Sequence, residues 1–189
     1  MTGDATPDLA LLEQRFAGIR QWGDPVLRAA ARAVERFDHA LAAQAAEMAA
    51  IMDRAHGAGL AAPQVGIAQR LFVYRPVAEA TVSVVVNPVI VSSSDATELG
   101  LEGCLSIGRS RIAVEVPRAT EVVVEAQDLN GEQLTITATD VHARVLQHEI
   151  DHLDGVLMLD RAAPDQRREA LRALREGRAW APEAPPDLS

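Results

Sequence analysis

The chain contains no lysine: all 18 of its basic residues are arginine. Alanine is correspondingly overused, so this reads as genomic composition bias rather than a functional choice. A single cysteine, Cys104, excludes an intramolecular disulfide. That fits a reducing compartment and leaves the thiol for metal binding or catalysis. Aromatic residues make up only 3% of the chain against 48% hydrophobic, so the core must be built from Val, Leu, Ile and Ala. No apolar run approaches the ~20 residues of a membrane helix. The longest, Val82–Val86 followed by Val89–Val91, is broken by Asn87-Pro88. The first stretch holds Asp4, Asp8 and Glu13 and no apolar h-region, so no secretory signal is expected. A basic excess is missing too. The net charge of −9 argues against a DNA or general nucleic-acid binder, which needs positive surface to displace counterions. These absences point to the cytoplasm. A length of 189 residues suits one domain with tails and permits a core without staples.

No internal repeat is present. Residues 1–18 are mixed and read as a loosely packed lead-in, and Gly23-Asp24-Pro25-Val26-Leu27-Arg28 reads as a turn. Leu41, Ala45, Met48, Ile51 and Met52 recur at helical spacing, predicting a helix from about Asp38 to His56 that Gly57 stops. The following GAGLAAPQVG is too rich in Gly and Ala for a regular strand. Leu71–Tyr74, Val82–Val86 and Val89–Val91 read as strands. Val122–Ala126 and Leu134–Ala138 flank an Asn130-Gly131 hairpin turn. A second helix is predicted over Asp140–Leu153, ended by Gly155, and a third over Asp165–Arg178 before a Pro-rich tail expected to be disordered. Helices and strands are segregated, which predicts an α+β domain with largely antiparallel sheets.

HEIDH, residues 148–152, carries the chemistry. At about 100° per residue, His152 lies about 40° and Glu149 about 100° from His148 on the helical wheel. One arc therefore holds two imidazoles and a carboxylate, and Val141 and Val145 continue the imidazole stripe, so the arc is expected to face inward. Residues four apart have Cβ atoms ~5–6 Å apart, close enough for two imidazoles to share one ion. Glu149 would point beside that ion, where it can take a proton from a bound water. The bland alternative is a core helix with two satisfied histidines. A catalytic metal site needs three protein ligands and an open position. Cys104, in the tract Glu102-Gly103-Cys104-Leu105-Ser106, is a candidate third ligand, against the alternative of a small buried hydrophobe. Glu102 and Asp151 are candidates to accept the imidazoles' other N–H, with a surface or structural role the competing reading for Asp151.

With these residues in view, the sequence resembles the peptide deformylases. The resemblance rests on three tracts in order: Gly57-Ala58-Gly59-Leu60-Ala61-Ala62-Pro63-Gln64, Glu102–Ser106, and Gln147–His152. It runs from about Ile19 to about Arg178, leaving 1–18 as an N-terminal extension, 19–178 as the catalytic domain and 179–189 as a tail. The implied fold is a single α+β domain with mostly antiparallel sheets around a central HExxH helix and a C-terminal helix. The implied reaction removes formyl from the N-terminal formyl-methionine of new polypeptides, by attack of a metal-bound hydroxide. The resemblance makes Cys104, His148 and His152 the metal ligands and Glu149 the general acid/base. It gives Gln64 and the Leu105 backbone N–H to the formyl oxygen, and implies Fe2+ as the usual ion, with Zn2+, Ni2+ or Co2+ substituting. Gly57, Ala58, Gly59, Ile107, Arg111 and Val145 are the implied substrate-contacting residues. Glycine at 57 and 59 is expected to leave room for the substrate backbone.

The chain also departs from the family pattern. Gly108 follows Ile107 where proline is common, and the segment to Val116-Pro117-Arg118 is about two residues longer than usual. Arg111 is the match for a substrate-side arginine, with Arg109 the alternative. Ala58 stands where a bulkier residue is common. These changes keep open a hydrolase with shifted substrate preference. A silent metal-binding or ribosome-associated factor is the rival of another class, opposed by intact Glu149 and Gln64. Finally, residues 161–178 hold six arginines against Asp165, Glu169 and Glu176, with Arg168, Arg172 and Arg175 on one helix face and Leu171 and Leu174 on another. This is read either as a solvated amphipathic helix or as a contact to ribosomal RNA.

Overall fold

The computed structural model describes residues 9–75, 81–107, 109 and 111–182. Gly108, and the tail from 183 that was expected to be disordered, lie outside the described residues. Helix α1 (Leu9–Arg15) is followed by a 3-10 turn at Pro25–Arg28 and helix α2 (His39–Ala55). Strands β1 (Gly59–Ala61), β2 (Leu71–Tyr74), β3 (Ser83–Ser93), β4 (Thr97–Gly103), β5 (Ala113–Ala119), β6 (Glu121–Gln127) and β7 (Gln133–Thr139) follow. Helices α3 (Asp140–Leu153), α4 (Met158–Arg161) and α5 (Pro164–Glu176) close the chain. The strands form an antiparallel five-stranded sheet, ordered β1-β2-β3-β6-β7, and a separate antiparallel β4-β5 ribbon. This is the α+β arrangement expected.

Helix α2 starts where Asp38 accepts from the N–H groups of Ala40 and Leu41. It ends on left-handed His56 (φ 56°), so the stop expected at Gly57 falls one residue earlier. Its buried stripe, Leu41, Ala45, Met48, Ile51, Met52 and Ala55, packs with Leu60, Leu71, Val73 and Val86. Helix α3 stands between the sheet and the ribbon. Its apolar stripe Ala143, Leu146, Ile150 and Leu153 buries against Phe72, Val85, Val122 and Val124. That stripe lies about 180° around the helix from His148. The imidazole arc therefore faces a cleft rather than the core, and Val141, expected inward, is 71% exposed at its rim.

Several local expectations change. The Gly/Ala-rich tract does contain a strand: β1 pairs Gly59 with Tyr74 and Ala61 with Phe72. Small residues suffice because β1 is fully buried and held by its partner. Val82–Val86 and Val89–Val91 are one strand with a register shift at Asn87-Pro88. Asn87 (φ 51°) stabilises this bulge, donating to the Val34 carbonyl at 2.9 Å and to Gln127 Oε1 at 2.8 Å. The β6-β7 hairpin is real, but its loop spans Asp128 to Glu132 rather than a two-residue Asn-Gly turn. Asp128 organises it by accepting from the N–H groups of Asn130 and Glu132.

Residues 9–18 and 179–182 make contacts that their composition did not imply. The lead-in carries α1, and Phe16 is buried in the first core cluster. Past α5, Trp180 bridges to Ile112 and packs on the third cluster, which includes Val114, Val116, Met158 and Ala173.

Candidate metal centre

Three elements converge on one point. Helix α3 supplies His148, Glu149 and His152; the end of β4 supplies Glu102 and, just beyond it, Cys104; the turn after β1 supplies Gln64. Gln147 holds α3 against the ribbon, accepting from the Ala119 N–H at 3.1 Å and donating to the Ala119 carbonyl at 2.9 Å. The donor atoms of Cys104, His148 and His152 all lie within 4.8 Å of one another. Cys104 Sγ is 3.2 Å from His152 Nε2, and the two imidazole rings meet edge to face with centroids 5.0 Å apart.

Neighbouring groups set the orientation of each donor. Glu102 Oε2 lies 2.9 Å from His148 Nδ1, which leaves Nε2 for the centre. Gln64 Oε1 accepts from the Ala61 N–H at 2.8 Å. Its amide nitrogen is thereby turned to Cys104 Sγ at 3.7 Å and Ser106 Oγ at 3.2 Å. Gly59 abuts Glu149: a Cβ there would sit 2.3 Å from Oε1. At Gly57 a Cβ would meet Leu105 Cδ1 at 2.7 Å. On the side where a Cβ would stand, Leu105 and Glu149 fill the space beside these two glycines, and both glycines line the cavity.

Electrostatics fit a cation. Burial, reinforced by the charges of His148 and Arg118, holds His152 well below the ordinary histidine range, so its imidazole is neutral and can donate a lone pair. Burial opposes a charge on His148 as well, but hydrogen bonds to Cys104 and Glu102 prevail and raise it. Anionic surroundings that retain a proton there would equally retain a metal ion in its place. Burial pushes Glu149 up to about 7, opposed by the positive charges nearby; a bound divalent ion would draw it down again. Burial would also raise Glu102, yet its bonds to His148 and Arg118 bring it to about 2. Glu149 Oε2 and His152 Nδ1 are buried without a hydrogen-bond partner among the described residues. One thiolate and two imidazoles suit a borderline transition ion with an open position.

Glu102 meets His148 as the sequence suggested, but the arginines behind it were not visible there. Arg118 grips Glu102 with two bonds of 2.9 and 3.0 Å and reaches Asp151 at 2.5 Å. Arg161 closes on Asp151 at 2.7 Å, and Arg144 bonds Glu102 at 3.0 Å and the Val116 carbonyl at 2.7 Å. Asp151 is buried and belongs to this network; it contacts neither imidazole, which resolves its two readings. The outward-looking signal was its place inside HEIDH, on the flank of the helix opposite Glu149.

A cavity of about 610 Å³ opens onto the centre. Of the sequence-predicted residues, Gly57, Ala58, Gly59, Gln64, Cys104, Leu105, Arg111, Val145, His148 and Glu149 line it. His152 sits deeper, behind Cys104. Arg111, in a left-handed conformation (φ 50°), lines the cavity while Arg109 does not. Ile107 does not reach the cavity: it is 1% exposed within the third core cluster.

Known proteins resemble this chain in sequence and in fold. The profile of the family described as Polypeptide deformylase matches residues 16–168. A peptide deformylase of Acidothermus cellulolyticus is 42% identical over 163 residues, covering 86% of this chain and 87% of that protein. One from Thermotoga neapolitana is 46% identical over 149 residues, covering 79% and 88%. The crystal structure of peptide deformylase from Thermus thermophilus superposes with a TM-score of 0.78 at 44% identity, over 85% of this chain and 94% of that one.

Proposed function

This chain belongs to the peptide deformylase family, and on that premise we propose which of its residues carry each part of the reaction. It is a hydrolase that removes the formyl group from the N terminus of newly made polypeptides, and it depends on a metal ion. The observation carrying the assignment of residues is the convergence of Cys104 Sγ and the two imidazoles within 4.8 Å, with the Glu149 carboxylate beside them. Cys104, His148 and His152 hold the ion, which when bound makes a water molecule acidic enough to attack at neutral pH. We assign Fe2+, with Zn2+, Ni2+ and Co2+ as ions that the same donors accept.

Glu149 takes the proton released by the water and delivers it to the departing amine. Its buried Oε2 has no competing partner among the described residues, and its tendency toward protonation suits a group that must both accept and give. Gln64 directs its amide N–H toward the centre, where negative charge develops on the formyl oxygen, and the Leu105 backbone N–H is the second donor. Glu102 keeps His148 in the tautomer that presents Nε2. Gly57, Ala58, Gly59, Arg111 and Val145 form walls around the substrate. Ile107 acts from beneath, by packing behind Cys104. The catalytic unit runs from α1 to Trp180, and the enzyme works in the cytoplasm, where formylated chains emerge. Among the described residues, no helix is long and apolar enough to cross a membrane.

Arg168, Arg172 and Arg175 line one groove on α5 together with Arg167, which supports contact with ribosomal RNA. Reversing the charge of those three arginines should abolish co-sedimentation with ribosomes at low salt; unchanged co-sedimentation would remove this contact. The reaction itself is tested by formate release from a formyl-Met tripeptide, using anaerobically purified, iron-loaded protein. Release that vanishes in Glu149→Ala while the metal stays bound is the expected result. Equal release by that variant would refute the role of Glu149.

A further inference from the structure

Helix α1 precedes the segment matched by the family profile, which begins at residue 16. Even so, Leu12, Arg15 and Phe16 line the cavity over the metal centre. Three bonds from two arginines hold this helix in place. Arg15 donates through Nε and Nη2 to the Ala55 carbonyl at 3.1 and 2.9 Å, and Arg54 donates to the Ala17 carbonyl at 2.7 Å. Ala55 is the last residue of α2, so Arg15 satisfies one of the carbonyls a helix end leaves over and places a cation where the helix dipole favours it. The guanidinium also lies 5.4 Å from the centroid of the Phe16 ring. Helix α1 is therefore a fixed wall rather than a loose lead-in.

Its position along the cavity follows from the stretch between α2 and β1. Gly59 abuts Glu149, Gly57 abuts Leu105, and Ala55 holds Arg15. The side chains of α1 thus stand at the end of this wall remote from the carboxylate. Four residues of chain can separate the two by at most ~14 Å, and the left-handed turn at His56 shortens that reach. A substrate residue spans ~3.4 Å when extended. With the formyl group at Glu149, this end meets the part of the substrate beyond methionine. We propose that α1 determines specificity at the residue following formyl-methionine, with Leu12 and Phe16 receiving an apolar side chain and the fixed charge of Arg15 disfavouring a basic one. This rests on the deformylase reading and extends it to Leu12 and Arg15, which precede the matched segment, and to Phe16, its first residue.

The test compares formate release from formyl-Met-Leu-amide, formyl-Met-Gly-amide and formyl-Met-Lys-amide by iron-loaded wild type, Leu12→Ala, Leu12→Met and Glu13→Ala. Glu13 is exposed and does not line the cavity. Wild type should show a KM for the Leu peptide about tenfold below that for the Gly peptide, the size expected of a small apolar contact, with Lys the weakest. Leu12→Ala should erase the Leu preference through KM while kcat and the Gly peptide stay unchanged. Leu12→Met and Glu13→Ala should keep it. Retention of the preference in Leu12→Ala, or an equal loss on all three peptides, would overturn the role of α1. Absence of formate release by wild type from every peptide would instead overturn the deformylase reading beneath it.

Discussion

Helices α3 and α5 both carry dense sets of ionisable residues, and they use them in opposite ways. On α3, Glu149, Asp151 and His152 are buried, and His148 and Asp151 are held by a network of opposite charges. On α5 the arginines lie outward in a solvated groove, as with Arg172, whose side chain is 66% exposed and pairs with Glu176 one turn on. The Arg118 side chain, which supports the α3 cluster, is 4% exposed. The lesson is that the number of charges says little. A buried charge left without its partner is costly, while an exposed one is screened and contributes little in either direction.

Single substitutions can break or sharpen that contrast. The largest effect on stability is expected at Glu102, because Glu102→Ala takes two bonds from buried Arg118, leaving it only Asp151, and one each from Arg144 and His148. Urea denaturation should show a loss of about 3–5 kcal/mol, and metal titration a 10- to 100-fold weaker affinity through the loosened His148, roughly the cost of losing such an outer partner. Next is Gln64→Leu, which removes one donor aimed at the reacting oxygen. Formate-release kinetics should show kcat lowered by a barrier of about 3 kcal/mol, with metal content unchanged.

A smaller effect belongs to Asp160, which links α4 to Arg28 and Arg167. Burial would raise its carboxyl, but the bond to Arg28 and that to the Leu157 N–H prevail and lower it from 3.8. A group with a lowered folded value stabilises above its unfolded value and loses that contribution as pH falls below it. Urea midpoints should therefore drop between pH 5 and pH 3, and Asp160→Asn should drop less. The smallest effect is at Arg172: Arg172→Ala should leave both the urea midpoint and formate release unchanged. A clear loss of stability there would break the comparison.

Legibility in the sequence followed the same divide. The limits of α3 were readable because Asp140 to Leu153 carries an apolar stripe and a Gly155 stop, and its HEIDH face follows from helix geometry alone. The pairing of Cys104 with the two imidazoles came from the family resemblance, because a lone cysteine read by itself is as readily a small buried hydrophobe. Strands β4 and β5 were not. TELGLEG has two glycines, and its leucines, Leu99 and Leu101, are about 60% exposed, so no buried alternation marks it. Pro117 sits within β5, where it is tolerated because the ribbon has only one partner strand among the described residues. The Glu102–Arg118–Asp151–Arg161 network joins residues far apart in the chain, and no local period connects them. Helix α1 reads as a lead-in because its contacts, Arg15 with Ala55 and Arg54 with Ala17, are made only in the fold.

The central claim is that one thiolate and two imidazoles from separate elements form a single metal centre. X-ray absorption at the iron edge of the anaerobically loaded protein tests it most directly. The account predicts one sulfur at about 2.3 Å and two nitrogens at about 2.1 Å, with the sulfur lost in Cys104→Ser. A wild-type spectrum with no sulfur neighbour would contradict it.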